Sequence, residues 1–255
     1  ARKPFVCFCY ISFYVPHFIC YISIKDKYIM DESNKKFIEL SDFSKIFYSL
    51  KNGQKKVFQN QSIRFNYGIN YGLLGKNGAG KTTLMQLLSG AETLSSGKRL
   101  LNGKVSWPIG VYTGLDPRLT GSENIYFIAS LLGLKNKKKV HDHVVEMSEL
   151  SADIHRQLNT FSAGMRARLG FYLSLCVDFD FYLIDEVTAV GDLDFQKRSS
   201  EYIQEVIKNK SLILCSHQKN KIRRHCEQSY IIHEGSILGP FDTEKAIYIY
   251  ENKKL

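Results

Sequence analysis

From Phe37 onward the chain alternates short apolar runs with longer segments whose apolar residues recur at helical spacing. That alternation predicts an α/β sheet fold. "KFIEL" (36–40) and "VFQNQSIRF" (57–65) read as strands of an antiparallel entry sheet. "INYGLLG" (69–75) is a short strand ending in glycine. "GKTTLMQLLSG" (80–90) has the spacing of a helix and stops at Gly90, a residue suited to a left-handed C-terminal cap. From about residue 120 to 175 the pattern is mostly helical, in "SENIYFIASLLGL", "VHDHVVEMSEL" and "AGMRARLGFYLSL". Strand character returns in "FYLIDEV" (181–187), "SLILCSH" (211–217) and "SYIIHEGSIL" (229–238), and a last helix is expected in "TEKAIYIYENKKL". The unbroken apolar run Phe181–Ile184 suits the middle of a parallel sheet, where both faces are covered. No internal repeat and no low-complexity segment interrupts this order.

Composition adds modest constraints. The chain has 255 residues and 44% apolar content, enough for one large domain or two small ones with a real core. Its formal charge of +10 points to an anionic partner: nucleotide, nucleic acid or an acidic membrane surface. The six cysteines show no CxxC pair and no metal-ligand spacing. Cys176, Cys215 and Cys226 sit in or beside apolar runs, so they read as buried reduced thiols, which favours the cytosol. Phe5 to Ile24 carries no Lys, Arg, Asp or Glu and is just long enough to span a bilayer, but Pro16 and His17 interrupt it. Residues 1–29 are expected to come from translation upstream of a natural start at Met30. A membrane-surface or permease-contacting extension and a transmembrane anchor are the alternatives.

Chemistry concentrates in four places. "GKNGAGKTT" (Gly75, Lys76, Asn77, Gly78, Ala79, Gly80, Lys81, Thr82, Thr83) matches G-x-x-x-x-G-K-[ST] between a strand and a helix. The glycines let backbone N–H groups turn inward around a phosphate, and the helix N-terminus adds a favourable dipole. Lys81 is placed to reach the terminal phosphates and the Thr82 hydroxyl to ligate Mg²⁺. In "FDFYLIDEVTAVGD" two adjacent acids, Asp185 and Glu186, end an apolar strand. Such a pair resists burial unless a cation offsets its repulsion. Asp185 is therefore expected to hold Mg²⁺ through water, and Glu186 to orient or deprotonate an attacking water. His217, after the strand "LILCS", is the candidate for contact with the γ-phosphate. Finally, Ser162, Ala163, Gly164 and Met165 open a helix and offer a second phosphate cradle. One P-loop site has no use for a second cradle on the same surface, whereas two copies meeting head to tail would complete each other's sites.

"FSAGMRARLG" resembles the signature motif of ATP-binding-cassette proteins, in the form S-[SA]-G-M rather than S-G-G-Q. The resemblance covers nearly all of residues 37–250. "VSWPIG", "LTGSENIYFI", "FSAGMRARLGFYLSL" and "YLIDEVTAVGD" look specifically like the ATPase subunits of capsular-polysaccharide exporters, with O-antigen and teichoic-acid exporter ATPases as close relatives. It implies that residues 30–255 form one P-loop nucleotide-binding domain with a mixed sheet core, an antiparallel β subdomain and a helical signature subdomain at about 120–175. It implies ATP hydrolysis with ATP and Mg²⁺, and a homodimer beneath a separate permease dimer that handles a lipid-linked polysaccharide. The location implied is peripheral, on the cytoplasmic face of a bacterial inner membrane, with no nucleic acid involved. By motif match, Asp192 in "AVGD" is the D-loop residue at the dimer interface. Tyr48 in "KIFYSLKNG" aligns with the aromatic that stacks on adenine, and Phe47 is a neighbouring candidate.

One position departs from the pattern. Where the family has Gln, sometimes His, between "SWP" and "LTG", this chain has Asp116 followed by Pro117. Asp116 either contacts the metal or closes an Asp-Pro turn with no metal role. Two other functional readings stay open: an exporter subunit for a different cargo, and a cassette ATPase acting on nucleic acid or ribosomes. Proteins of the latter kind usually carry two cassettes or a long coiled coil, whereas this chain has one P-loop, one signature and no sustained heptad run. The basic clusters at Lys135–Lys139 and Lys219–Arg224 read as solvated helix ends, or as contacts for anionic headgroups. Trp107 is either a packing residue or part of a surface particular to the family.

Overall fold

The computed structural model describes residues 35–49, 53–109, 114–185, 193–216 and 218–252. The expected extension, residues 1–29, lies outside them. Strands β1 (Phe37–Ser49), β2 (Gly53–Asn66) and β4 (Ser96–Asn102) form an antiparallel sheet in the order β2-β1-β4. A second sheet is built from β3 (Tyr71–Leu74), β5 (Phe181–Ile184), β6 (Ser211–Cys215), β7 (Gln228–His233) and β8 (Ser236–Asp242). Its order is β5-β6-β3-β7-β8, parallel except for the last pair.

Every residue of β3, β5 and β6 is buried, which is why these strands read as unbroken apolar runs. Alternate side chains still sort to opposite faces. Phe181, Leu183, Ile213 and Cys215 face the antiparallel sheet and helix α1 (Lys81–Ser89). Tyr182, Ile184, Leu212 and Leu214 face a larger cluster on the other side. That second cluster is closed by α2 (Gly121–Leu131), α3 (Lys137–Ser148), α4 (Ala163–Leu175), α5 (Leu193–Ile207), α6 (Lys219–His225) and α7 (Thr243–Asn252). Gly72 in β3 lets α6 sit against the sheet, since a Cβ there would fall 2.5 Å from both Ile222 Cγ2 and Ser229 Oγ.

The segment 105–109 lies along the outer edge of β5. Val105 bridges Phe181 and Ile109 bridges Ile184, both parallel. Trp107 fastens this segment to the helical side: its Nε1 donates to Ser174 Oγ of α4 at 2.9 Å and its ring meets Phe179 edge-on at 5.4 Å. Its role here is packing. The helical region begins with a capping box on α2, in which Thr120 Oγ1 accepts from the Glu123 amide and Glu123 accepts from the Thr120 amide. Cys215 and Cys226 are buried as expected, whereas Cys176 is half-buried, and burial pushes the Cys176 and Cys226 thiols up to about 12. Among the described residues no helix is long and apolar enough to cross a membrane.

Candidate functional site

The loop between β3 and α1 bends because its glycines adopt conformations closed to other residues. Gly78 and Gly80 have φ of 80° and 108°, and a Cβ on Gly80 would lie 2.9 Å from Phe58 and Val57. Gly80 caps α1 without any side-chain hydrogen bond, and the first turn carries no acid. The amides at that helix start are thus left to an external acceptor. Lys81 is buried, and its Nζ donates to the carbonyls of Gly75 at 2.6 Å and Lys76 at 2.9 Å. At the far end Gly90 closes the helix in the left-handed conformation, as its sequence position predicts.

Above this loop opens a cavity of about 690 Å³. Asn77 through Thr83 form its floor, with Asp185 at the end of β5 and Cys215 at the end of β6. Thr82 Oγ1 donates to Asp185 Oδ2 at 3.0 Å, so the hydroxyl and the carboxylate assigned to one metal do converge. Asp185 is buried, and its amide donates to the Ile109 carbonyl at 3.2 Å, which fixes where β5 ends. A hard-oxygen pair beside a lysine ammonium and free helix amides is a donor set that fits Mg²⁺ with a triphosphate. Glu186, Asp192 and His217 lie outside the described residues.

The wall of the cavity holds residues that sequence reasoning passed over. Lys55, Lys56 and Val57 of β2 stand on one side, with Glu234 and Gly235 of the β7–β8 turn. Phe47 lines the cavity too, whereas Tyr48 is 73% exposed and does not. Lys45 sits 4.5 Å from the Phe47 ring centre and holds Glu92 at 2.7 Å, so the Phe47 side of β1 is braced from behind.

Ser162, Ala163, Gly164 and Met165 are not among the lining residues. Ser162 caps α4, its Oγ accepting from the Met165 amide at 3.2 Å, and Ser162 and Ala163 are exposed. A Cβ on Gly164 would meet only Ser162 Oγ, at 3.8 Å, so the helix start is open to an incoming group.

Asp116 also stands apart from the cavity lining. Its Oδ1 accepts from the Arg118 amide at 2.9 Å and from Arg118 Nε at 3.0 Å, and its Oδ2 from Arg118 Nη2 at 2.7 Å. The buried Asn124 exchanges hydrogen bonds with the Asp116 amide and carbonyl. The Arg118 guanidinium holds the Asp116 carboxyl below the usual carboxylate range. These contacts, with the Leu119 amide donating to the Asp116 carbonyl at 3.2 Å, form a turn at Asp116-Pro117.

Comparison with known proteins agrees with this architecture. The family model described as ABC transporter matches residues 58–189, just over half of the chain. The polysialic acid transport ATP-binding protein KpsT of Escherichia coli is 39% identical over 190 residues, covering 74% of this chain and 87% of that protein. The capsule polysaccharide export ATP-binding protein CtrD of Neisseria meningitidis serogroup B is 35% identical over 205 residues, covering 80% of this chain and 94% of that one. Among solved structures, a dimeric post-hydrolysis state of the ATP-binding cassette MJ0796 bound to ADP and Pi superposes with a TM-score of 0.68. It covers 81% of this chain and 98% of its own at 16% identity, which is a likeness of fold. In sequence and in fold alike, this chain belongs to the ABC transporter family of ATP-binding subunits.

Proposed function

We propose that this chain is the ATP-hydrolysing subunit of an ABC transporter that exports a lipid-linked, capsular-type polysaccharide across a bacterial inner membrane. The observation that carries the ATPase half is the convergence of Lys81, Thr82 and Asp185 on one glycine-lined cavity. The cargo follows from the relatives, which are named for polysialic acid transport and capsule polysaccharide export.

The α1 amides and Lys81 bind the phosphates. The ammonium already rests on two loop carbonyls, so it is held in place before ATP arrives and little ordering is left to occur on binding. Thr82 and Asp185 would hold Mg²⁺, which supplies positive charge against the developing charge on the phosphates. Glu186 positions and deprotonates the attacking water, and His217 contacts the γ-phosphate. The open α4 start, Ser162 to Met165, serves the nucleotide of a second copy, with Asp192 at the interface between them. Closure and reopening of this dimer drive a separate permease dimer, against which the chain sits peripherally on the cytoplasmic face.

The test has two arms. Purified protein should hydrolyse ATP only with Mg²⁺, and Lys81→Ala should weaken ATP binding at least about tenfold, as expected for losing a charge-assisted contact to phosphate. In cells deleted for their own capsule-exporter ATPase, the chain expressed with its neighbouring permease should restore surface polysaccharide, and Lys81→Ala should not. Restoration by the variant would contradict the ATP-driven mechanism. Full ATPase activity with no restored export would contradict the cargo assignment.

A further inference from the structure

The turn between β7 and β8 holds a residue that the hairpin alone does not require. It consists of Glu234 and Gly235, with φ of 46° and 79°, between the paired strand ends His233 and Ser236. Positive φ at both positions favours Asn-Gly or Asp-Gly, whose short first side chain tolerates the left-handed conformation. A glutamate is the more strained choice. Its side chain is 86% exposed, and His233 Nε2 stands 3.8 Å from its Oε1, beyond hydrogen-bond length. This turn nevertheless lines the nucleotide cavity.

Strand β2 fixes which part of the cavity the turn serves. A Cβ on Gly80, at the start of α1, would lie 2.9 Å from Val57 Cγ1, and one on Gly235 would lie 3.0 Å from the Val57 carbonyl. Val57 therefore stands between the phosphate loop and the turn. Lys55, two residues back along β2 and so about 7 Å away, pairs in register with Phe47, the aromatic residue of the cavity lining. The turn lies one residue from the phosphate end, and the aromatic lies beyond it.

We propose that Glu234 is a specificity-determining residue that accepts hydrogen bonds from the ribose hydroxyls of the bound nucleotide. This rests on the nucleotide site of the proposed function. A carboxylate only accepts, and ionised phosphates offer it no donor. The nucleoside offers two kinds, the ribose hydroxyls and the amine of the base. The place beside Val57 selects the hydroxyls, which lie between phosphates and base. Lys55 and Lys56 on the same wall offset the negative charge that Glu234 brings toward the phosphates.

The experiment titrates ADP into the full chain by calorimetry, so that no hydrolysis intervenes, beside 2′,3′-dideoxy-ADP and inosine diphosphate. The wild type should bind ADP on the order of tenfold more tightly than the dideoxy analogue, the scale of a hydrogen bond to a charged group. Glu234→Asn puts a favoured residue in the turn and withdraws the carboxylate. It should bind ADP and the dideoxy analogue equally, with wild-type affinity for the latter and a melting temperature no lower than the wild type's. A wild type that does not distinguish the two, or a variant that keeps the preference, would overturn the proposal. So would an equal loss for all three nucleotides, which would mean a distorted wall. A changed preference for ADP over inosine diphosphate, at an unchanged ribose preference, would assign Glu234 to the base amine instead and overturn it too. A wild type that bound no ADP at all would overturn the nucleotide site itself, and the ribose contact with it.

Discussion

Lys81 shows how much a single residue reveals from spacing alone. A lysine after four variable positions and a glycine has its phosphate role suggested by the motif, and in the fold its Nζ donates to the Gly75 and Lys76 carbonyls. Asp185 was equally legible, because an acid ending an apolar strand needs a cation, and it meets Thr82. Glu234 and Gly235 were not legible. They reach the cavity only because the β7–β8 turn folds back beside β2, with Gly235 Cβ space ending on the Val57 carbonyl at 3.0 Å. The adenine platform is the residue-scale question with the sharpest test. Phe47 lines the cavity and Tyr48 is exposed, so Phe47→Ala should weaken ATP binding by about 0.5–1.5 kcal/mol, the value of one aromatic contact, and Tyr48→Ala by less. The opposite order in a titration would return the platform to Tyr48. For Asp116, the Arg118 contacts predict that Asp116→Ala lowers the melting temperature slightly and leaves the Mg²⁺ dependence of ATPase unchanged. A raised Mg²⁺ requirement would instead give Asp116 the metal role.

At the scale of elements, β3, β5 and β6 were readable because burial on both faces leaves no room for polar residues. β4, α5 and α6 were not picked out from the pattern, each for a physical reason. β4, "SGKRLLN", is exposed or half-buried throughout, so it has no clean alternation. α5 is a long helix whose apolar residues are diluted by charges, and α6 is only seven residues long. The helical region was visible as a unit, and its start was fixed by a local signal, the Thr120–Glu123 capping box. Thr120→Ala should cost about 1 kcal/mol in denaturant unfolding. It should leave nucleotide binding intact, because Thr120 is not among the residues that line the cavity. Weakened nucleotide binding at unchanged stability would mean that α2 reports directly to the site. The basic clusters resolve partly into helix-surface ion pairs, Lys138 with Asp142, Lys219 with Glu251 and Arg223 with Glu244. Those three of the eight basic side chains in the two clusters are answered within the chain.

For the whole molecule, the decisive feature is the separation of two phosphate-type cradles. One is a deep cavity at the C-terminal ends of the parallel strands, and the other is an exposed helix start that takes no part in lining it. In the proposed dimer, a second copy gives the exposed helix start its ligand. The sequence suggested this division through two glycine-containing helix starts, though the distance between them is a property of the folded chain. The most direct measurement is on Glu186→Gln, which keeps the side chain's shape and removes its ability to take a proton. With ATP and Mg²⁺ the variant should bind nucleotide as the wild type does, lose turnover by at least about 10²-fold, the scale of a general base, and elute as a stable dimer. Turnover at the wild-type rate, or a chain that binds ATP and stays monomeric, would contradict the account.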